Sequence, residues 1–141
     1  MRTLHNIDLK NNESGFTLRW QDRLILSHSA DAPCLWIGAG EADIEMFRGN
    51  FSIKDKLNEK IALTNATVTQ QSAGWAIRFT RGDAVSATLL VGVDAEGRLE
   101  LKLKNDAASH NRIWLRLAAQ PDDHIYGCGE QFSYFDLRGK P

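Results

Sequence analysis

The residues best equipped for chemistry crowd the end of the chain, where His124, Cys128 and Glu130 lie close together. A thiol beside an imidazole could act as a nucleophile. These two stand four apart on no helical pattern, however, and no third group nearby would orient the histidine, so Cys128 reads as structural. Three mixed ligands match no recognised metal motif, and no metal is expected. Gly127-Cys128-Gly129 begins like a dinucleotide fingerprint, but Phe132 stands where the third glycine belongs and no βαβ pattern surrounds it. A dinucleotide is therefore not expected. Acid–base chemistry at an acetal needs two carboxylates flanking the bond. Glu130 and Asp136 sit among aromatic residues that could raise a carboxyl pKa by desolvation. The plainer role for both is to accept backbone N–H bonds in tight turns. His5, His28 and His110 are isolated in polar surroundings and read as surface residues.

The same terminal stretch carries Tyr126, Phe132, Tyr134 and Phe135. Each ring buries roughly 150–250 Å², and together they exceed the ~300–600 Å² apolar patch of an ordinary monomer. Such rings must be covered. Tyr126 and Phe132 are assigned to the core. Tyr134 and Phe135, adjacent and so facing opposite sides of any strand, require a partner elsewhere for one ring.

Hydrophobic alternation specifies the elements that would position these residues. Phe16-Thr17-Leu18-Arg19-Trp20, Leu24-Ile25-Leu26, Trp75-Ala76-Ile77-Arg78-Phe79, Val85 to Val93, Leu99 to Leu103 and Ile113 to Leu117 are short apolar runs. Most have a period of two, which turns one side of a strand to a core and the other to water. Asn11-Asn12-Glu13-Ser14-Gly15, Gln71 to Gly74, Arg81-Gly82-Asp83 and Asp94 to Gly97 supply the turns between them. Trp75 to Leu103 reads as consecutive antiparallel hairpins. Seven or so short strands at this spacing predict an all-β antiparallel fold, a sandwich or a barrel. Residues 54–60 fit less well, because Ile53, Leu57 and Ile61 recur at i, i+4, i+8 behind Ser52-x-x-Asp55. A polar loop or a single helical turn is expected there.

The chain has 141 residues, is 43% hydrophobic and 25% charged, and carries a formal net charge of -1. That length fits one domain of the usual ~100–200 residues. No basic excess exists to neutralise a phosphate backbone or an anionic lipid surface, so neither nucleic acid nor membrane is an expected partner. Cys34 and Cys128 make no disulfide framework, and the opening residues form no apolar leader segment. The cytoplasm is the expected location. The Asn-x-Ser/Thr triplets at Asn12, Asn50 and Asn65 then carry no weight, because glycosylation requires secretion.

Tyr126-Gly127-Cys128-Gly129-Glu130, followed by Phe132 and Asp136-Leu137-Arg138-Gly139-Lys140, resembles the Tyr-Gly-x-Gly-Glu…Leu-Arg-Gly-Lys segment of glycoside hydrolase family 31. The stretches from Pro33 to Gly38, Met46 to Lys56 and Asn111 to Leu117 are similar to stretches of its bacterial members that release sulfoquinovose, a 6-sulfonated glucose. The resemblance covers essentially the whole chain. It implies a galactose-mutarotase-like β-sandwich over residues 1–141, a single N-terminal domain that precedes a catalytic (β/α)8 barrel absent from this chain. It further implies a retaining α-glycosidase, sulfoquinovoside- or α-glucoside-hydrolysing, that uses two aspartates and no cofactor.

Both aspartates belong to the barrel, so no catalytic residue transfers to any position here. By the resemblance, Tyr126, Gly127, Gly129, Glu130, Phe132 and Asp136 are structural residues of the sandwich. Arg138, Gly139 and Lys140 lie near the rim of the substrate pocket by analogy; as plain sequence they form a basic turn. The implied partners are the catalytic barrel and, in the intact protein, a carbohydrate substrate. A free carbohydrate-binding module is one alternative. The other is an interaction domain that self-associates through Tyr126 to Pro141.

Overall fold

The computed structural model describes residues 6–83, 85–106 and 108–126. Ten strands follow one another: β1 Ile7–Asn12, β2 Gly15–Trp20, β3 Arg23–Ser29, β4 Leu35–Phe47, β5 Asn50–Ala62, β6 Asn65–Gln71, β7 Gly74–Arg81, β8 Val85–Val93, β9 Leu99–Asn105 and β10 Arg112–Leu115. They form three antiparallel sheets in the orders β1-β2-β3, β10-β4-β5 and β6-β7-β8-β9. The last sheet is the hairpin series expected between Trp75 and Leu103, extended at one edge by β6.

Alternation decides which side of each strand is buried. Phe16 and Leu18 of β2, Leu26 of β3, Leu35 and Ile37 of β4, Ile77 and Phe79 of β7 and Leu89 of β8 meet in one core. Phe16 and Phe79, from different sheets, cross edge to face at 5.9 Å. The three sheets thus enclose a single apolar interior, as an antiparallel sandwich does.

Four sequence expectations are corrected. Residues 54–60 are neither loop nor helical turn but the middle of β5, paired residue by residue with β4. Spacings of four also suit one face of a strand, and a bulge then turns Ile61 to the core side while Ile53 and Leu57 face outward. Ala39 pairs with Glu59 and Gly40 with Leu57, so Asn58 is left without a partner and the strand's parity shifts there. Strand number and length also exceed the forecast, since β4 and β5 each run 13 residues. His28 is not on the surface but buried in the core, and the side chain of His110 is only 8% exposed. Tyr126 is not a core residue: it lies past the last described strand, 56% exposed, and stacks on His124 at 6.2 Å.

Candidate functional site: the outer face of the second sheet

Gly127, Cys128, Gly129, Glu130, Phe132, Tyr134, Phe135, Asp136, Arg138, Gly139 and Lys140 lie outside the described residues, as does His5. Of the sequence-predicted site only Tyr126 and the neighbouring His124 are placed, and no strand carries them. Among the described residues, no cluster of His, Cys, Asp or Glu could hold a metal ion. The candidate site is elsewhere. The stretches from Pro33, from Met46 and from Asn111, remote in sequence, all converge on the sheet β10-β4-β5.

Successive even residues of β4 point to one side of the sheet. Inward lie Leu35 and Ile37, fully buried. Outward point Trp36, Gly38, Gly40, Ala42, Ile44 and Met46. Their β5 partners are Ala62, Lys60, Leu57, Asp55, Ile53 and Phe51, and their β10 partners are Trp114 and Arg112. Directly opposed residues share a face, so this side is one surface with two distinct ends.

At the far end β4 and β5 leave the sandwich as a two-stranded ribbon. Phe47 pairs with Asn50 across the two-residue loop Arg48-Gly49. Both loop residues have positive φ, 50° and 81°, as the type I′ hairpin turn demands. Glycine meets that demand without strain, and Gly49 is also open to solvent on all sides. The opposite face of the ribbon is polar apart from exposed Phe47 at its tip, with Lys54 Nζ 3.2 Å from the Glu45 carboxylate. The outer face is apolar and uncovered: Ile44 is 63% exposed, Met46 78%, Phe51 70% and Ile53 58%.

A polar clamp fixes the base of the ribbon. The Asn111 amide donates to the Gly40 carbonyl at 2.9 Å, and the Gly40 N–H donates to its oxygen at 3.0 Å. One side chain therefore imitates a strand residue beside the bulge. Arg112 donates to Asp55 at 2.7 Å, and His110 Nε2 stands 3.2 Å from the Glu59 carboxylate. The Arg112–Asp55 bond holds the guanidinium in its charged form.

At the near end the surface is aromatic and basic. The Trp114 ring lies across Gly38, where an added Cβ would meet it at 2.8 Å and the Glu59 carbonyl at 2.4 Å. Lys60 Nζ sits 4.6 Å from the Trp114 ring centre and 5.6 Å from that of Trp36. The Arg116 guanidinium is 5.6 Å from the Trp36 ring. A cleft of about 680 Å³ opens beside this shelf, bounded by Trp36, Lys60, Ile61, Ala62 and Arg81. Sequence reasoning did not single out Lys60, Arg81 or Arg116. The available signal was Trp114 and Arg116 two apart in sequence, but the placing of Trp114 on β10 beside β4 and of Arg116 just past it is tertiary information.

No protein-family model matches the chain. It is 71% identical over 132 residues to a sulfoquinovosidase of Escherichia coli, an alignment covering 94% of this chain and 19% of that protein. It is 39% identical over 135 residues to a sulfoquinovosidase of Agrobacterium fabrum, covering 91% of this chain and 18% of the relative. The fold matches a family 31 sulfoquinovosidase from E. rectale, solved with an aza-sugar inhibitor. That TM-score is 0.72 at 33% identity, over 94% of this chain and 19% of that one. The chain therefore spans about a fifth of the length of the relatives it matches. In sequence and in fold alike, it is similar to part of the sulfoquinovosidases, one of them of glycoside hydrolase family 31.

Proposed function

We propose that this chain is the non-catalytic N-terminal β-sandwich of a retaining family 31 α-glycosidase that hydrolyses sulfoquinovosides. It supports a catalytic barrel by docking the apolar face of the β4–β5 ribbon against it. The observation that carries this reading is the ribbon itself. A two-stranded hairpin is marginal alone in water, yet this one turns Ile44, Met46, Phe51 and Ile53 outward. Burying each such side chain is worth ~1.5–3 kcal/mol. A surface of that kind marks a contact site, and relatives five times longer supply a body to make the contact. A cytoplasmic location belongs to the same reading, and the free, buried Cys34 suits a reducing compartment.

The reaction needs two carboxyl groups ~5–5.5 Å apart on a rigid scaffold. The purified 141-residue chain is expected to release no aryl group from an aryl α-sulfoquinovoside. The same chain joined to the remaining four-fifths of the Escherichia coli relative is expected to turn it over. Turnover that co-purifies with the chain alone contradicts the assignment. A second reading, self-association, is favoured by the same ribbon: without its partner, the apolar face meets another copy.

A further inference from the structure

The near end of the outer face is chemically unlike the ribbon, and docking does not account for it. Trp36 and Trp114 present two indoles, Lys60 and Arg81 bring two positive charges to the wall of one cleft, and Arg116 lies against the Trp36 ring beside it. Among the described residues no carboxylate lines that cleft. Elsewhere in the sheet Lys54 is paired with Glu45 and Arg112 with Asp55. Among the described residues Lys60 and Arg81 face no acidic partner, and the Arg116 guanidinium donates to the Ala32 carbonyl and to no carboxylate. The volume falls within the ~300–1,000 Å³ of ordinary ligand clefts.

Aromatic faces receive the apolar side of a pyranose ring, and unpaired cations receive a negative group. Lys60, whose ammonium stands over both rings, offers its charge where a ring-borne anion would arrive. We propose that this cleft is a binding site for an anionic pyranoside, its sugar ring against Trp36 and its acidic group toward Lys60 and Arg81. The site contains no acid–base pair. It would hold a ligand without cleaving it, and it stands whether or not the chain serves a catalytic barrel.

The test follows the indole N–H resonances of the full chain by NMR, whose four tryptophans report separately. The probes are methyl α-sulfoquinovoside, methyl α-glucoside and sodium sulfate. The sulfonated sugar is expected to saturate at millimolar concentration and to shift Trp36 and Trp114 but not Trp20 and Trp75. Loss of one charge-assisted contact of about 1.4 kcal/mol predicts about tenfold weaker binding for Lys60→Gln and for the uncharged glucoside. Lys60→Gln lies on the exposed face and should keep the wild-type spectrum elsewhere. No saturable shift up to about 50 mM, where even a millimolar Kd would be satisfied, overturns the proposal. So does an equal response to sulfate, which would make the cleft a simple anion site, or an unchanged affinity in Lys60→Gln.

Discussion

At the scale of single residues, His28 shows how far a side chain can depart from what its sequence neighbours imply. Flanked by Ser27 and Ser29 it looks solvated. In the fold it stacks on Phe16 at 5.5 Å and meets Phe79 edge-on at 5.2 Å. Its Nε2 lies 3.2 Å from the Thr64 carbonyl, which only an N–H can satisfy, and its Nδ1 accepts from the Cys34 N–H at 3.3 Å. The network assigns a neutral ring with the proton on Nε2. Protonating Nδ1 would set a donor against a donor in an apolar site. Burial is the main reason that the pKa of His28 falls below its ordinary value, opposed by the Thr64 bond. The same burial pushes the Cys34 thiol up to about 11. Because the unfolded imidazole binds protons near pH ~6.5 and the folded one does not, stability is full above that value. It is lost as pH falls from there toward the lowered folded pKa. Urea midpoints measured at pH 7.5 and pH 5 should therefore differ by more in the wild type than in His28→Gln. Equal differences would remove His28 as the cause.

At the scale of elements, strands facing the core were legible and the ribbon was not. The runs at β2, β7, β8 and β9 alternate because one side is buried in this chain's own interior. Phe51, Ile53 and Leu57 alternate as well, but lysines, Asp55 and Glu59 intervene and the Asn58 bulge breaks the parity. A strand whose apolar side meets nothing among the described residues lacks the context that makes such a pattern decisive. The structure also shows why Asn111-Arg112-Ile113-Trp114 forms a recognisable unit: clamp, ion pair and shelf residue follow in order along β10 and the residue before it. The ribbon's apolar face predicts a measurable liability. Sedimentation of the chain at rising concentration should reveal association, and Phe51→Glu with Ile53→Glu should shift it toward monomer. Two charges on a contact face cost on the order of several kcal/mol when like meets like. Association unaffected by that pair would exclude the ribbon as the contact.

At the scale of the whole molecule, fold and family were readable from the sequence, while the candidate site was not. Alternation and turn chemistry were enough for an all-β antiparallel fold, and the motif stretches were enough for the resemblance. The expected rim residues Arg138, Gly139 and Lys140 fall outside the described residues. The surface that emerged depends on strands 70 residues apart in the chain, as in the bonds between Asn111 and Gly40, and no local pattern announces such a pairing. The central claim is that the β4–β5 ribbon docks on a catalytic body. It is tested most directly by amide hydrogen exchange across residues 42–57, in the chain alone and joined to the remainder of the Escherichia coli relative. The account predicts fast exchange in the ribbon of the isolated chain under dilute, monomeric conditions, and marked protection in the joined protein. Equal exchange rates in the two proteins would contradict it.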